Sequence, residues 1–327
     1  MPKLRVFITR KIPESGIKLL QKSCHIKIYQ KDQVMPKKEL IKEVKQCDAL
    51  LCLLTDKIDK EIIDANPKLK IISNYAIGFN NIDVAYATKK RIPVTNTPGR
   101  AIVDAVAEHT FALIFAVTKR IVEADRFMRA GKYKTWEPLL LLGMELVGKT
   151  IGIVGLGRIG SGVAQRAKAM GMKVVYYDVK RNVDFEGEFN AQYLSLNDLL
   201  KSADVVSVHV PLLPTTTHLI GKKKLSLMKK TAYLINTSRG PVIDEKALVQ
   251  ALKQKKIAGA GLDVYEFEPK LTTGLTKLQN VVLTPHIASA TIEARSEMSK
   301  DAAENILAVL QGKKPKMLVN KEVYKAE

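Results

Sequence analysis

The chain has 327 residues, 46% hydrophobic and 26% charged, a composition typical of a globular protein with about two domains. Its formal net charge is +20, but the lysines are scattered without interleaved aromatic residues, so we expect a solvated surface and no nucleic-acid partner. No apolar run approaches the ~20 residues that span a bilayer, no signal-peptide pattern is present, and the three cysteines lack disulfide or zinc-site spacing. We therefore expect a cytoplasmic protein with no membrane partner and no metal.

Short apolar strands alternate with helical segments over the first hundred residues. The strands read LRVFIT, HIKIYQ, ALLCLL, LKIISNYA and PVTN, with helical patterns such as SGIKLLQK and KKELIKEV between them. This alternation predicts a parallel sheet flanked by helices. The next segment, AIVDAVAEHTFALIFAVTKRIVEADRFMRAGKY, has almost no helix breakers and predicts one long helical stretch. We interpret it as a linker between domains, with contact of its apolar face to a partner subunit as a further option.

A second alternating series begins near residue 150. Its six predicted strands, from TIGIVGLG to VVLTPH, are nearly continuous apolar runs, as in a doubly wound sheet that is buried on both faces. The fold class that we predict is therefore α/β, with two doubly wound parallel-sheet domains and a cleft between them.

The stretch VGLGRIGSGV contains the pattern GxGxxG between a predicted strand and a predicted helix. Gly155 permits a tight turn, Gly157 lets a phosphate approach the backbone, and Gly160 lets the helix pack on the strand. A dinucleotide pyrophosphate would then lie at the helix N-terminus, beside Arg158 and Ile159.

Asp178 ends the next predicted strand, KVVYYD. A carboxylate at this position accepts hydrogen bonds from ribose hydroxyls and repels a 2′-phosphate, which favours NAD over NADP. Lys180 and Arg181 follow closely and partly offset that repulsion, so NADP stays open.

Polar residues follow three later strands: Arg239 in LINTSRG, Asp263, Glu266 and Glu268 in GLDVYEFEP, and His286 in VLTPHIAS. A nicotinamide cofactor transfers a hydride, so reduction of a carbonyl also needs a proton donor and a group that binds any carboxylate. An arginine binds a carboxylate through two nitrogens, and a histidine oriented by a carboxylate donates a proton near neutral pH. Ligands of open α/β sheets bind beyond the carboxyl ends of the strands, where we expect these residues.

Together with NYAIGFNNID, VTNTPGRAIVDAVAEHTFALI and HVPLLPTTTHLI, these motifs resemble the D-isomer-specific 2-hydroxyacid dehydrogenase family over almost the whole chain. Within it, the chain is most similar to glyoxylate/hydroxypyruvate reductases. The resemblance implies that Arg239, Glu268 and His286 are catalytic, that Arg239 also binds the substrate, and that Glu268 rather than Glu266 pairs with His286.

The resemblance also implies the remaining contacts. Backbone N–H groups of the loop with Ala76, Ile77 and Gly78 would bind the substrate carboxylate. The implied cofactor-binding residues are Gly155, Gly157, Arg158, Ile159, Gly160, Asp178, Val210, Thr237, Ser238, Asp263 and His286. The reductases resembled here imply a homodimer, in which Trp136 either reaches the partner's substrate pocket or packs locally.

We therefore expect NADH-dependent reduction of glyoxylate or hydroxypyruvate to glycolate or D-glycerate, with NADP possible and His286 as proton donor. The resemblance implies a flavodoxin-like substrate domain over residues 1–99 and 289–327 and a Rossmann NAD-binding domain over 100–288. D-lactate and other D-2-hydroxyacid dehydrogenases share the triad and stay open as alternatives, as does an NAD-sensing corepressor-like binding protein. Formate dehydrogenases place Gln where Glu268 stands, which argues against them.

Overall fold

Strands and helices alternate along most of the chain in a computed structural model of the protein, which describes residues 3–324. The first part contains β1 (Leu4–Ile8), α1 (Glu14–Gln21), β2 (Cys24–Ile28), α2 (Lys37–Val44), β3 (Ala49–Leu53), α3 (Lys60–Asp64), β4 (Ile71–Tyr75), α4 (Val84–Lys89), β5 (Val94–Thr95) and α5 (Arg100–Thr118). The remainder contains α6 (Ile121–Arg129), β6 (Thr150–Val154), α7 (Arg158–Ala169), β7 (Lys173–Tyr177), α8 (Val183–Phe189), β8 (Gln192–Tyr193), α9 (Leu196–Ser202), β9 (Val205–Val208), α10 (Lys222–Leu225), β10 (Tyr233–Asn236), α11 (Glu245–Lys253), β11 (Gly259–Leu262), β12 (Val281–Leu283) and α12 (Ile292–Leu310).

Contacts among the described residues divide the chain into two compact units. The first comprises the residues up to Ile102 and those from Ala290 onward, and the second comprises Val103–Ser289. The predicted substrate-domain range includes residues 1–2 and 325–327, which lie outside the described residues. The functional division into a substrate domain and an NAD domain, with the bounds given above, stays a prediction.

The first unit is built on a parallel sheet whose described strands have the order β2-β1-β3-β4-β5. This is the strand order of flavodoxin-like folds. β4 is buried along its whole length, and Leu50 and Ile72 are fully inaccessible to solvent. An N-cap aspartate begins α3, the helix after β3, because the Asp59 side chain accepts the Ile62 N–H.

The second unit is built on a parallel sheet with the order β12-β11-β10-β9-β6-β7-β8 among the described strands. β6 is central, with β7 and β8 on one side and the later strands on the other, as in a Rossmann fold with one further strand. β9 and β11 are buried throughout because core residues cover both faces of the sheet. The predicted fold class of two doubly wound parallel sheets is confirmed.

Two details of the second unit differ from the sequence expectation. The described sheet has a seventh strand, β8, whose two residues are too few to form a readable apolar pattern. The predicted long helix is broken, because Arg120 adopts a left-handed conformation with φ 55°. The Met144 N–H donates to the Thr118 carbonyl at 2.9 Å, so a crossing segment satisfies a helix-terminal carbonyl that a continuous helix would have used itself.

One helix among the described residues, α5, is long and apolar enough to cross a membrane when judged by length and composition alone. The sequence expectation that no run approaches this length therefore needs amendment. Within the structure, 56% of its most apolar window is buried, and Phe111, Leu113 and Ile114 belong to a core cluster of the second unit. Packing against the sheet accounts for the apolar composition of α5.

Candidate active site

The loops with the predicted functional residues of the second unit lie at one edge of its sheet. They follow β6, β7, β9, β10, β11 and β12, and because all these strands are parallel, their carboxyl ends share that edge. The glycine motif and the candidate catalytic side chains of this unit are thus brought to the same edge.

The turn after β6 can contain only glycine at two positions. Gly155 has φ 98°, and a Cβ atom there would lie 2.9 Å from the backbone nitrogen of Val210. A Cβ atom on Gly160 would lie 2.0 Å from the Gly155 carbonyl oxygen, so α7 packs directly on the turn. Both observations match the physical reasons for which the sequence pattern uses glycine.

The N-terminus of α7 fits the pyrophosphate of a dinucleotide. Gly157 is the N-cap residue, and no described side chain caps the helix through a hydrogen bond. A Cβ atom on Gly157 would meet nothing within 4 Å, so there is room for a ligand above the first turn, which contains Arg158 and Ile159. Backbone N–H groups and the helix dipole both favour an anion at this position.

Asp178 connects the glycine turn to the end of β7 through hydrogen bonds. Its Oδ2 accepts the Leu156 N–H at 2.7 Å, and its Oδ1 accepts the Val179 N–H at 2.6 Å. The side chain is half-buried, and each carboxylate oxygen has a second lone pair that could accept a ribose hydroxyl.

Val210, Thr237 and Ser238 lie in the loops that neighbour this turn. Val210 packs against Gly155. The Thr237 hydroxyl bonds the Thr110 hydroxyl of α5 at 2.9 Å, and the Ser238 hydroxyl donates to Asn236 Oδ1 at 2.8 Å. These contacts order the loops, and the predicted cofactor contacts of the three residues stay predictions.

His286 and Glu268 form a hydrogen-bonded pair. His286 Nδ1 lies 2.9 Å from Glu268 Oε2, while the second oxygen of Glu268 accepts the Tyr265 N–H at 2.9 Å. Burial alone would raise the pKa of Glu268, but the hydrogen bond and charge of His286 outweigh it and hold this pKa below its ordinary value. The ionised carboxylate accepts a hydrogen bond from Nδ1–H and leaves Nε2 to face a substrate. Glu266 bonds His218 instead, at 2.7 Å.

Arg239 follows β10 and is half-buried. Its Nη1 donates to the Ser238 carbonyl at 2.7 Å, and Asn236 Nδ2 donates to the Arg239 carbonyl at 3.0 Å. Burial lowers the pKa of Arg239, and the negative charge of Glu268 acts in the opposite direction. A guanidinium keeps its charge in proteins, so this loop presents a fixed positive charge.

Asp263 is fully buried and holds the His286 loop. Its carboxylate accepts the Ile287 and Ala288 N–H groups at 2.8 Å and the Thr284 hydroxyl at 2.6 Å. Burial alone would raise the pKa of Asp263, but hydrogen bonds from His109 and from these groups outweigh it and lower the pKa. Its predicted contact with the cofactor stays a prediction.

In the first unit, the loop Ala76–Phe79 follows β4, and its carbonyl groups are held by that unit. The Ala76 oxygen accepts the Thr97 N–H at 2.9 Å, the Ile77 oxygen accepts Asn96 Nδ2 at 2.7 Å, and the Gly78 oxygen accepts Asn74 Nδ2 at 2.8 Å. Each carbonyl of a trans peptide points opposite to the N–H of the following residue. The three following N–H groups therefore point away from these partners.

Those N–H groups belong to Ile77, Gly78 and Phe79, and they donate no hydrogen bond within residues 3–324. The Ala76 N–H differs, because it already donates to the Asn74 carbonyl at 2.9 Å. Consecutive unpaired N–H groups form an anion-binding concavity, so this loop is suited to a carboxylate.

Asn74 and Asn96 were not singled out by sequence reasoning. The signal for Asn74 was present, because a polar residue inside the apolar strand IISNY must find hydrogen-bond partners when buried. Asn96 has no such signal, since a half-buried position in the loop after β5 is ordinary for asparagine.

Comparisons with known proteins agree along the chain. Residues 111–288 match the model for the D-isomer specific 2-hydroxyacid dehydrogenase, NAD binding domain. A glyoxylate reductase from Thermofilum pendens is 54% identical, with 99% of this chain and 97% of that protein covered.

Two solved structures extend this similarity. The TT0316 protein from Thermus thermophilus superimposes with a TM-score of 0.91 at 42% identity, covering 97% of this chain and 100% of that one. An NADPH-dependent glyoxylate/hydroxypyruvate reductase from Sinorhizobium meliloti, in complex with NADP and malonate, has a TM-score of 0.85 at 28% identity and 99% coverage of both chains. The chain therefore belongs to the D-isomer-specific 2-hydroxyacid dehydrogenase family.

Proposed function

We propose that the protein reduces a short 2-oxo acid, glyoxylate or hydroxypyruvate, to the corresponding 2-hydroxy acid with NADH. Its family membership makes it an NAD(P)-dependent oxidoreductase, and glyoxylate reductases are among its relatives at about half identity. The observation that supports the reaction most directly is the His286–Glu268 hydrogen bond of 2.9 Å at the sheet edge where Arg239 and the glycine turn also lie.

In this proposal, one catalytic residue donates a proton and the others supply charge. When bound, the nicotinamide cofactor supplies the hydride that reduces the carbonyl carbon. His286 donates its Nε2 proton to the carbonyl oxygen, and Glu268 stabilises the ring orientation and the charged imidazolium before transfer. Arg239 binds the carboxylate and polarises the carbonyl through its fixed positive charge.

The N–H groups of the loop Ala76–Phe79 bind the substrate carboxylate in this proposal. A carboxylate accepts several hydrogen bonds, and the loop presents consecutive N–H groups without a competing partner in the described chain. The first unit would thus act as the substrate domain, over residues 1–99 and 289–327, and residues 100–288 as the NAD domain.

NAD is the preferred cofactor in this proposal because of Asp178. Its carboxylate is fixed beside the glycine turn, where a 2′-phosphate would meet its negative charge. Gly155, Gly157, Arg158, Ile159 and Gly160 would surround the pyrophosphate. Val210, Thr237, Ser238 and Asp263 would complete the cofactor site.

A second copy of the chain is the proposed partner of the segment 121–147. No residue of α6 is buried, although Ile121 and Met128 are apolar. Trp136 and Leu139, further along, are 76% and 79% exposed. Several large exposed apolar side chains within one segment are typical of an interaction surface. Light scattering should give the mass of a homodimer, and Leu139→Glu should shift it toward the monomer.

The deciding experiment measures NADH and NADPH oxidation with glyoxylate, hydroxypyruvate, pyruvate and a branched 2-oxo acid. We expect the highest kcat/KM with glyoxylate or hydroxypyruvate. A preference for pyruvate would instead indicate a D-lactate dehydrogenase, and no turnover with any acid would indicate a sensor. His286→Ala should lower kcat about 10³-fold and leave the Kd for NADH nearly unchanged. An active alanine variant would contradict the role of His286.

A further inference from the structure

Glu268 lies at the corner of a tight turn. The Lys270 N–H donates to the Phe267 carbonyl at 2.8 Å, which closes the turn around Glu268. The position of the Glu268 carboxylate relative to His286 therefore depends on what holds the two flanks of this turn.

Both flanks are held by one carboxylate, that of Glu245. Its Oε2 accepts the Glu266 N–H at 2.9 Å on one side of the turn, and its Oε1 accepts the Thr272 N–H at 2.8 Å on the other. Glu245 is only 3% exposed, so water does not compete for these bonds. A buried carboxylate that accepts two backbone N–H groups is a strong, directional anchor.

Glu266 accepts a reciprocal hydrogen bond from Glu245. Its Oε2 accepts the N–H of Glu245 at 3.0 Å, and its Oε1 bonds His218 Nε2 at 2.7 Å. Glu245 is the first residue of α11, so the helix N-terminus helps to offset the repulsion between the two carboxylates. The reciprocal bonds join α11 and the Glu268 turn into one unit.

The turn that carries Arg239 packs against the same place. A Cβ atom on Gly240 would lie 1.9 Å from the Tyr265 carbonyl carbon and 2.4 Å from the Glu266 nitrogen. The backbone next to Arg239 is thus in direct contact with the peptide that Glu245 holds. A shift of that peptide would move both Arg239 and Glu268.

We propose that Glu245 and Glu266 are positioning residues for the reaction. They hold the turn with Glu268 at hydrogen-bonding distance from His286, and they hold the Arg239 turn in its position against that turn. This inference rests on the proposed function for its effect on turnover. Its geometric part, the effect on the His286–Glu268 hydrogen bond, is independent of any substrate.

The test compares Glu245→Gln with the wild type. The glutamine amide would place a donor against one of the two loop N–H groups, so one anchor bond becomes a donor–donor contact. We expect kcat with glyoxylate to fall about 10- to 100-fold, while the Kd for NADH, measured by fluorescence, stays within about twofold. In the Glu268→Gln background, the same change should cost little more, because the turn then has no carboxylate to position.

Asp204→Asn is a matched control. Asp204 accepts the Thr150 N–H at 2.9 Å and Lys229 Nζ at 2.8 Å, at the amino-terminal side of the same sheet. This variant should lower the Tm without lowering kcat. Equal losses of kcat in both variants, or an unchanged kcat in Glu245→Gln, would overturn the positioning role. If Glu245→Gln does not fold, Glu266→Ala, at a more exposed side chain, removes the acceptor of the Glu245 N–H and provides the corresponding comparison.

A substrate-free measurement separates the two proposals. In protein with 15N-labelled histidine, the Nδ1 proton signal of His286, assigned by its loss in His286→Ala, reports the bond to Glu268. We expect this signal to weaken or shift upfield in Glu245→Gln, and an unchanged signal would overturn the inference. A wild type that reduces no 2-oxo acid would overturn the proposed function and leave this result to decide the positioning role.

Discussion

The candidate binding loops of the two units are held mainly by opposite hydrogen-bond chemistry; the exception in the second unit is the Arg239 loop, where Asn236 Nδ2 donates to the Arg239 carbonyl. In the second unit, carboxylates accept backbone N–H groups, and these carboxylates belong to Asp178, Glu245, Asp263, Glu266 and Glu268. In the first unit, amide side chains donate to backbone carbonyls of the loop Ala76–Phe79, and these amides belong to Asn74 and Asn96.

The difference decides what each loop offers to a ligand. A trans peptide points its carbonyl and the next N–H in opposite directions, so the group held by the protein leaves the other for a ligand. Amide donors leave N–H groups that suit an anion. Carboxylate acceptors add negative charge that suits an imidazolium or a ribose hydroxyl. The loop Ala76–Phe79 therefore suits a carboxylate, and the carboxyl edge of the second sheet suits the proton transfer and the nucleotide of the proposed function.

Replacing a carboxylate by an amide in the second unit should have the largest effect at Glu268. In Glu268→Gln, the amide keeps one oxygen for the Tyr265 N–H but turns its NH₂ toward His286 Nδ1, so a donor faces a donor. We expect kcat to fall about 10²- to 10³-fold, with the Kd for NADH unchanged. Steady-state kinetics with glyoxylate tests this, and a kcat within twofold of the wild type would contradict it.

Removing an amide in the first unit should act on substrate affinity instead. Asn96→Ala releases the Ile77 carbonyl, so the Gly78 N–H loses its fixed direction. One lost hydrogen bond of about 1–1.5 kcal/mol corresponds to a roughly tenfold rise in KM for the 2-oxo acid, with a smaller change in kcat.

Asn280→Ala provides the control for this prediction. Asn280 Nδ2 also holds one backbone carbonyl, that of Ala258 at 3.0 Å, but at the other edge of the second sheet. The KM of Asn280→Ala for the 2-oxo acid should stay at the wild-type value. Equal KM values in the two variants would show that Asn96 serves stability alone.

The charge of Asp178, rather than its hydrogen bond, should set cofactor choice. Asp178→Asn keeps an oxygen for the Leu156 N–H, gives up the bond from the Val179 N–H, and removes the negative charge. We expect the ratio of kcat/KM for NADPH to that for NADH to rise about tenfold, as roughly 1.4 kcal/mol of repulsion is lost. Asp198→Asn removes an exposed charge on α9 and should leave the ratio unchanged. A ratio that does not move in Asp178→Asn would refute the ribose argument.

The architecture could be predicted because its signals are local. Strand–helix alternation with buried apolar strands indicates parallel sheets, and parallel strands bring their carboxyl ends to one edge whatever the helices between them do. The glycine motif was readable for the same reason, since Gly155 has a positive φ in the turn and Gly160 packs on the Gly155 carbonyl five residues earlier.

The remaining features depend on partners that are distant in sequence. The break between α5 and α6 accompanies a Met144 bond to Thr118, 26 residues away along the chain. Glu245 reads as an ordinary first-turn acid of α11, and only the fold shows that its carboxylate holds residues 266 and 272. Sequence reasoning recognised the chemistry of single residues but not which backbone groups they would hold.

Asp301 provides a contrast with Asp263, because it is a carboxylate of the first unit without backbone donors. Its Oδ2 is buried and has no hydrogen-bond partner among the described residues. Burial, with the nearby charges of Glu297 and Glu304, raises the pKa of Asp301 to about 6, and Lys316 opposes this. Asp263 is more deeply buried, yet its hydrogen bonds lower its pKa.

The sign of this shift predicts a stabilising substitution. Because the pKa of Asp301 is higher in the folded state than in the unfolded chain, stability falls as the pH rises from about 4 through 6, and the full penalty is present at pH 7. After allowing for solvent screening, we expect Asp301→Asn to raise the free energy of unfolding by about 1–2 kcal/mol at pH 7 and the Tm by about 2–5 °C. The gain should fade below about pH 4, where the aspartate is neutral in both states. Thermal unfolding at pH 4, 5.5 and 7 tests this, with Asp32→Asn, at an exposed carboxylate of the first unit, as the control. A gain that does not depend on pH, or a lower Tm at pH 7, would show that burial without donors does not explain the contrast with Asp263.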